Sequence, residues 1–360
     1  MKLEFISNTG CYLEHDGVVF GMDPWLTQGA FEGSWFHYPP LRPTKWSVRD
    51  CKYIYVSHLH PDHCDFHALR DARPGTRFVV PDYFNRLLER KLKAAYPRID
   101  LVLAPHSASG PYPASFRNLS AAEKEAEARR LQTQYVAYWS EMVQILAPRL
   151  AAPCAAEYVV VGNLHEKNAH IGLAEASEAV ADLRRRQGGD EPVRPVQLDC
   201  GAILDVDTGE LGGLQVRHPT EAERREFALR HRDIPFDYQW EDAFSDVDFD
   251  ALVRSARAGL WKKQQRLGWK QDYNLYLTVD EVPCYAFNFA REGIEALPAG
   301  WAGRRDPFLE CFLPRPLLYQ VLTRRAHWNN AEGGLHIDFF RRPNDYVPEV
   351  FTLMSFLQAE

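Results

Sequence analysis

The strongest constraint on this chain is the run from His58 to His63, HLHPDH, which directly follows an apolar segment, Tyr53–Val56, with the pattern of a strand. The run places three imidazoles and one carboxylate within six residues, and this donor set suits a borderline divalent ion such as zinc or iron. His58 and His60 are two residues apart and can bind one ion. Asp62 and His63 lie further along the turn and can face a second. The run therefore predicts a metal site, and a polar turn whose histidines only bond to the backbone is the alternative.

The segment Ser57–His63 resembles the His-x-His-x-Asp-His signature of the metallo-β-lactamase superfamily. Asp23–Trp35 is similar to a run in the branch of that superfamily that contains ascorbate-6-phosphate lactonase and the catalytic module of CMP-N-acetylneuraminate hydroxylase. Ser107–Pro113 and His327–Glu332 are similar to the same branch, so the resemblance covers most of the chain. It implies an α/β fold, a metallo-β-lactamase-like αββα sandwich, with a C-terminal α+β elaboration.

The resemblance and the order of the predicted elements divide the chain into two parts. We expect residues 1–214 to form the catalytic domain, because strands and helices alternate there as they do in layered α/β proteins. We expect residues 215–360 to form an α+β subdomain that packs on this domain. The segment between about 82 and 100 is shorter than the pattern of the superfamily requires.

In proteins of this superfamily, one or two metal ions activate a water molecule that attacks a carbonyl or phosphoryl centre. The resemblance implies that His58 and His60 bind the first ion. It implies that Asp62 and His63 bind the second, and that Asp62 is also the catalytic general base. Zinc is the expected cofactor, as one or two ions, with iron or manganese as alternatives.

The pattern of the superfamily also includes a third histidine and a bridging aspartate from strands that follow the metal-binding turn. Residues 82–100, where these strands are expected, contain no histidine. His165, in a polar loop after a predicted strand, is the first candidate for the distal imidazole. His106 is the second candidate, and His170 is a candidate for supporting a ligand or contacting the substrate.

Other residues are candidates for roles around the metal. Asp23 is expected to fix a ligand imidazole or to reach the metal, with an ordinary turn at the end of a strand as the alternative. Trp25 and Trp35 are expected to form an apolar wall beside the substrate, with core packing as the alternative. His327–Asn330 is expected to support the site or contact the substrate at most, and His336 to be structural.

Local signals predict several elements. Asp16-Gly17 is a two-residue turn between strands at Cys11–Glu14 and Val18–Met22. Ser120–Glu123 and Thr220–Glu223 have the capping-box pattern and begin helices. Phe78–Pro81 has the pattern of a short buried strand.

Further elements follow from periodicity. Arg86–Ala95 is expected to be a helix, and alternating apolar residues predict strands at Leu275–Val279 and Tyr285–Phe289. In the long helix that follows Ser120, residues at spacings of three and four predict one core-facing stripe. Its members are Leu131, Tyr135, Tyr138, Met142 and Ile145.

Composition excludes several classes of function. The formal charge of −7 argues against a nucleic-acid partner, which usually meets a clustered basic surface. No stretch reaches the about 20 apolar residues that cross a bilayer, and Met1–Phe5 does not begin a secretory signal. Seven unevenly spaced cysteines without a Cys-x-x-Cys pair indicate reduced thiols. We therefore expect a soluble cytoplasmic protein with a small-molecule substrate and no membrane partner; the sequence does not determine its oligomeric state.

These observations predict a metal-dependent hydrolase that acts on a small phosphorylated sugar, lactone, thioester or nucleotide-sugar. A diiron thioester hydrolase with the same ligands is an alternative. A metal-poor binding or scaffold protein of the same fold is another, because the short middle segment removes expected ligands. The sialic-acid hydroxylases also carry a Rieske segment with paired Cys-x-His and Cys-x-x-His ligands, and this sequence contains no such pair.

Overall fold

The computed structural model describes residues 1–80, 98–188, 192–213, 219–240, 247–280, 284–298, 301 and 303–359. The strands are β1 (Lys2–Ser7), β2 (Gly10–His15), β3 (Val18–Met22), β4 (Trp35–His37), β5 (Cys51–Tyr55), β6 (Arg77–Val79), β7 (Leu101–Pro105), β8 (Leu150–Cys154), β9 (Tyr158–Val160), β10 (Arg194–Pro195), β11 (Ala202–Asp205), β12 (Leu211–Gly213), β13 (Asn274–Val279), β14 (Cys284–Asn288), β15 (Glu295–Leu297), β16 (Phe308–Leu313) and β17 (Asp338–Arg342). The helices are α1 (Phe66–Leu69), α2 (Ala121–Leu146), α3 (Ala176–Gln187), α4 (Glu221–Arg230), α5 (Phe249–Leu267), α6 (Arg315–Leu322), α7 (Trp328–Gly333) and α8 (Pro348–Met354). Short 3₁₀ helices span Val48–Asp50, Gly162–His170 and Asp237–Trp240.

The strands form a mixed α/β architecture, as the sequence predicts. A seven-stranded sheet has the order β12-β11-β1-β2-β3-β5-β6, and a three-stranded sheet has the order β10-β8-β7. A five-stranded sheet near the C-terminus has the order β15-β14-β13-β16-β17, and β4 pairs with β9 alone.

The predicted hairpin is confirmed. Strands β2 and β3 pair antiparallel, and His15 lies opposite Val18. Asp16 and Gly17, the two residues between them, both have positive φ, 49° and 76°. This is the backbone that a two-residue turn of the favoured hairpin type requires, and Asp-Gly adopts it readily.

The first two sheets pack face to face. Leu3 and Phe5, on one face of β1, share an apolar cluster with Leu150 and Ala152 of β8. Ile6 belongs to a different cluster, on the opposite face of the seven-stranded sheet. Because successive side chains of a strand point to opposite faces, this alternation places one layer of core between the two sheets.

Helix α2 covers the outer face of the three-stranded sheet. Its predicted capping box is confirmed, because Glu123 N lies 3.3 Å from Ser120 Oγ and Ser120 N lies 2.8 Å from Glu123 Oε2. The predicted core-facing stripe is wrong, since Tyr135, Tyr138 and Ile145 are 38%, 54% and 53% exposed. The buried residues are Ala128, Val136, Trp139, Ser140, Val143 and Leu146. Trp139 and Val143 pack with small residues of β8 and α3, so the buried face of the helix lies one residue further along the sequence than the predicted stripe.

The C-terminal sheet has a core of its own. The predicted strands at 275–279 and 285–289 are present as β13 and β14, and β16 pairs parallel to β13. Its edge strand β17 is joined to the first part of the chain, because Phe339 N donates to Ser115 O (2.8 Å) and Arg117 N donates to Phe339 O (2.7 Å).

The second predicted capping box is also confirmed. The side chain of Thr220 accepts from the backbone amide of Glu223 at the start of α4.

Two predictions near residue 80 have different outcomes. Strand β6 is present, but Phe78 is 51% exposed, so the prediction of a buried strand is wrong. The strand forms the edge of the seven-stranded sheet, where part of its surface stays open. The predicted helix at 86–95 lies outside the described residues. No helix in the described ranges is long and apolar enough to cross a bilayer.

Candidate metal centre

The His58–His63 turn lies at the carboxyl ends of two parallel strands. Met22 of β3 and Tyr55 of β5 are register partners, and the backbone amide of Asp23 donates to Tyr55 O (3.0 Å). The chain therefore leaves both strands at the same edge of the sheet. This register brings Asp23 next to a turn that begins more than thirty residues later, as its hydrogen bond to Ser57 across 34 positions shows.

Asp23 holds the turn with both carboxylate oxygens. Its Oδ1 accepts from the Ser57 amide (2.7 Å), and its Oδ2 accepts from the Ser57 hydroxyl (2.6 Å). The same Oδ2 lies 2.9 Å from Nδ1 of His63. A carboxylate that fixes one ring nitrogen of a histidine leaves the other nitrogen to face the site. This is the contact expected of a residue that orients a ligand imidazole.

The three imidazoles of the turn are in contact. The ring centroids of His58 and His63 are 4.0 Å apart, and those of His58 and His60 are 4.5 Å apart. Burial, with the neighbouring imidazoles, lowers the pKa of His58 to about 4, and burial lowers the pKa of His60 as well. Burial opposes protonation of His63 too, but hydrogen bonds to Asp23 and Asp62 outweigh it and raise the pKa to about 9.

Asp62 is almost completely buried, with 4% of its surface exposed. Its Oδ2 accepts from Asn8 Nδ2 (2.8 Å) and lies 3.4 Å from Nε2 of His63. Its Oδ1 is buried and has no hydrogen-bond partner among the described residues. A buried carboxylate oxygen without a donor is costly, so this atom requires a cation, a water molecule or a substrate group.

A residue from the C-terminal part of the chain also reaches the turn. Nδ2 of Asn329, on α7, lies 2.7 Å from Nε2 of His60. Phe31 packs its ring against the ring of His60, with centroids 5.6 Å apart. The sequence singled out His327–Asn330 as a segment that supports the site at most, and Asn329 is the member that makes this contact.

The donor chemistry of the turn fits a divalent ion. Neutral imidazoles are the form that binds metal, and the lowered pKa values of His58 and His60 favour that form. The raised pKa of His63 favours its protonated form, so this ring would have to release a proton to bind a metal ion. The unpartnered Oδ1 of Asp62 adds an anionic oxygen. Within the described ranges, however, no three or more His, Cys, Asp or Glu side chains are already grouped so that they could hold a metal ion. The ligand roles therefore stay predictions.

The histidines predicted outside the turn lie elsewhere. His106 is fully buried, and its two ring nitrogens lie 2.7 Å and 3.0 Å from the carbonyl oxygens of Cys154 and Ala174, which argues against its prediction as a ligand. Nδ1 of His165 lies 3.0 Å from Gly162 O. Among the contacts of the described residues, none joins His165 or His170 to the turn. Burial and the charge of Lys124, at the start of α2, lower the pKa of His170.

The two tryptophans predicted as a wall beside the substrate are core residues. Trp25 has no exposed surface and packs on His37 with ring centroids 3.6 Å apart. Trp35 is 3% exposed and stacks on Tyr158 at 3.5 Å and 6°. Their burial argues against the prediction and supports the alternative of core packing.

Sequence reasoning missed two buried polar groups beside Asp62. His37 and Tyr158 are register partners of β4 and β9, and the charge of Asp62 influences the pKa of each. The buried hydroxyl of Tyr158 has no hydrogen-bond partner among the described residues. No motif marks either residue, because their proximity to Asp62 arises from strand pairing rather than from spacing in the sequence.

Comparison with known proteins gives short or weak similarities. No model of a known protein family matches the sequence. The chain is 33% identical over 95 residues, 26% of its length, to a Mycolicibacterium smegmatis protein described as a "Putative Rieske 2Fe-2S iron-sulfur protein". Two Mycobacterium tuberculosis proteins of similar description are 32% identical over 85 residues. The chain covers only 18% and 16% of the lengths of these curated relatives.

Among solved structures, the chain is similar to Igni18, a metallo hydrolase from Ignicoccus hospitalis, with 11% identity and a TM-score of 0.30, over 60% of this chain and 99% of that one. An isothiocyanate hydrolase from Delia radicum gut bacteria has 17% identity and a TM-score of 0.29, over 64% and 92%. CmlA, a diiron β-hydroxylase from Streptomyces venezuelae, has 14% identity and a TM-score of 0.32, over 59% and 54%.

Proposed function

We propose that this chain is a metal-dependent hydrolase of the metallo-β-lactamase superfamily, with an αββα sandwich and a C-terminal elaboration. One observation carries the proposal. The rings of His58, His60 and His63 are in contact at the carboxyl ends of two parallel strands, beside a buried carboxylate oxygen of Asp62 that has no hydrogen-bond partner in the described ranges. Such a group of imidazoles and carboxylate is a donor set for a divalent ion.

The residues of the turn have distinct roles in this proposal. His58 and His60 would hold a first ion, and Asp62 and His63 would hold a second where two are present. A bound divalent ion would lower the pKa of a water molecule, so that its hydroxide form could attack an acyl or phosphoryl centre at neutral pH. Asp62 would accept the proton as general base. Asp23 keeps the ring of His63 in one orientation through its contact with Nδ1.

The choice of metal and substrate belongs to the same proposal. Imidazole and carboxylate donors suit zinc first, with iron or manganese as alternatives. We propose a small metabolite as substrate, from the phosphorylated sugars, lactones, thioesters or nucleotide-sugars. Residues 1–214 would form the catalytic unit, and residues 215–360 would complete it through Asn329.

Metal analysis of the purified protein tests the proposal directly. We expect the unaltered chain to retain close to stoichiometric zinc, iron or manganese by mass spectrometry, and the double variant His58→Ala/His60→Ala to lose it. His15→Ala is the matched control, because His15 is exposed on β2, with 67% of its side chain accessible. Equal metal content in the double variant and the control would refute the ligand assignment.

A second candidate function is a metal-poor binding or scaffold protein of the same fold. It is favoured by the finding that the described residues contain no preformed group of three metal-binding side chains. In that case the purified protein contains almost no metal, and added zinc, iron or manganese does not raise its unfolding temperature. A metal that binds the native state must stabilise it, so this measurement separates the two candidates.

A further inference from the structure

A cleft of about 750 Å³ lies between the two parts of the chain. Its walls come from 108–116, from α2, from Glu332 on α7, and from the segment that begins at Arg341. Phe116 and Arg341 form its floor, and they are only 1% and 6% exposed. Tyr346, at its rim, is 64% exposed. The volume lies within the range of about 300–1,000 Å³ that small-molecule sites occupy.

The guanidinium of Arg341 is buried, and no carboxylate of the described residues lies within ion-pair distance of it. Its Nε donates to the side-chain oxygen of Asn344 (2.9 Å), and the hydroxyl of Tyr112 is its other side-chain partner. It lies 4.7 Å from the ring centroid of Phe116 and 5.0 Å from that of Tyr112. No carboxylate of the described ranges forms an ion pair with it. Burial accordingly lowers the pKa of Arg341. A buried charge with only neutral partners is stabilised by an incoming charge of opposite sign.

Arg341 is the cation of the cleft that no carboxylate of the described residues contacts directly, although the charge of Asp345, which also lines the cleft, acts on it. Arg130 pairs with Glu127, with Nη2 and Oε2 2.8 Å apart. Glu127 also accepts from the hydroxyl of Tyr112 (3.0 Å). Burial raises the pKa of Glu332 to about 7, which reduces its negative charge near neutral pH. A ligand with one negative charge can therefore pair directly with Arg341, whereas a doubly charged group such as a phosphate monoester would also meet the carboxylates of Glu127 and Asp345.

We propose that this cleft binds a small organic carboxylate with an aromatic or aliphatic body. Its carboxylate would pair with Arg341, whose planar guanidinium matches two carboxylate oxygens. Its body would pack against the rings of Tyr112, Phe116 and Tyr346, which line the cleft. The site goes beyond the proposed hydrolase activity and does not depend on it.

The cleft is nevertheless joined to the His58–His63 turn by α7. Asn329, near the start of this helix, contacts His60, and Glu332 lines the cleft. Residues three apart on a helix lie on the same side, about one turn from each other. A ligand in the cleft therefore contacts the element that holds His60.

Calorimetric titration of the full chain, depleted of metal with a chelator, tests the proposal. Phenylacetate is the probe, phenylacetamide is its neutral analogue, and phenyl phosphate is the dianion. We expect phenylacetate to bind about tenfold more tightly than either of the others, because only it supplies a single charge to Arg341. No binding of phenylacetate, or equal binding of the amide, would overturn the proposal. Metal depletion keeps this result separate from that of the metal assay.

Two variants place the probe in the cleft. Arg341→Met keeps an unbranched apolar side chain in place of the stem of Arg341 and removes its charge, and we expect at least a tenfold loss of phenylacetate affinity. Tyr346→Ala removes an exposed ring of the rim and should weaken binding without affecting folding. Tyr138→Ala is its matched control, because Tyr138 is 54% exposed on α2 but does not line the cleft. If Arg341→Met does not fold, the pair of tyrosine variants decides, and equal affinities in both would overturn the location.

Discussion

Asn329 and His60 are in side-chain contact, with Nδ2 and Nε2 2.7 Å apart across 269 positions of sequence. The contact joins a helix of the C-terminal part to the turn that carries the candidate ligands. Its partner in the turn, His60, is held on the other side by the ring of Phe31. The orientation of this imidazole is therefore set by residues from two distant regions of the chain.

The variant Asn329→Ala should weaken metal retention without unfolding the protein. It removes the amide that fixes His60, and loss of such a supporting contact lowers metal affinity by about tenfold or more. Competition of the purified protein with a chelator of known affinity measures the change. The neighbouring variant Asn330→Ala serves as control, and equal affinities in the two variants would contradict the role of Asn329.

Asp23 should contribute to stability even in metal-free protein. The variant Asp23→Ala removes the carboxylate that accepts from the Ser57 amide and the Ser57 hydroxyl and that contacts the ring of His63. We expect the free energy of unfolding to fall by about 2–4 kcal/mol, because three hydrogen bonds of a charged group are lost together. Urea unfolding measures it. Asp23→Asn, which retains an oxygen for Ser57, should lose less, and an equal loss would contradict this explanation.

Asp338 should make the stability of the protein depend on acid pH. Lys167 Nζ lies 2.6 Å from its Oδ1, and Arg117 donates to its Oδ2 (2.9 and 3.0 Å). Burial opposes ionisation, but these two cations lower the pKa of Asp338. The unfolded state then binds a proton at higher pH than the folded state. The contribution is therefore complete above the unfolded value, about 4, and is lost as the pH falls through the lower folded value.

The variant Asp338→Asn tests this linkage. At neutral pH it should lower the free energy of unfolding by about 3 kcal/mol, because Lys167 is left buried without its anion. Its unfolding temperature should also fall less steeply than that of the unaltered chain as the pH is lowered below about 4. Asp250→Asn, at an exposed pair with Arg254, is the control. Parallel pH profiles for the unaltered chain and Asp338→Asn would contradict the assignment.

Gly162 should not tolerate a side chain. It has φ of +64°, and an added Cβ would lie 2.5 Å from the ring of Phe236 and 3.0 Å from Ile234 O. We expect Gly162→Ala to lower the unfolding free energy by about 2–4 kcal/mol, from overpacking and backbone strain together. Gly268→Ala is a matched control, because Gly268 has φ of +66° and no atom within 4 Å of its added Cβ. Equal losses would show that strain alone explains the effect.

Local chemistry predicts much of the fold. The Asp16-Gly17 turn and the capping boxes at Ser120 and Thr220 are present because each depends on residues within four positions of one another. The buried face of α2 is not predictable in the same way. Tyr135 and Tyr138 have the same helical spacing as Val136 and Trp139, so the periodicity of the sequence does not distinguish the two pairs. Packing against β8 and α3 buries Val136 and Trp139 and leaves the two tyrosines exposed.

The candidate site also has one part that the sequence predicts and another part that depends on tertiary packing. The spacing of His58, His60, Asp62 and His63 is local, so the sequence identifies the turn directly. The contacts of Asn329 and the proximity of His37 to Asp62 are set by tertiary packing and strand pairing, which spacing does not encode. His106 shows the converse, because its position after a strand suits a ligand, whereas both of its ring nitrogens lie beside carbonyl oxygens that spacing does not indicate.

The two backbone hydrogen bonds that join Phe339 to Ser115 and Arg117 have a consequence for self-association. They occupy part of the outer side of β17, so this end of the five-stranded sheet offers few free amides to another chain. The opposite end is β15, a strand of only three residues, Glu295–Leu297, that begins with a charged side chain. Short and charged edges discourage the strand-to-strand pairing that leads to aggregates. One edge of the sheet is thus covered by the segment around Ser115 and Arg117. The other edge is a short strand with a charged side chain.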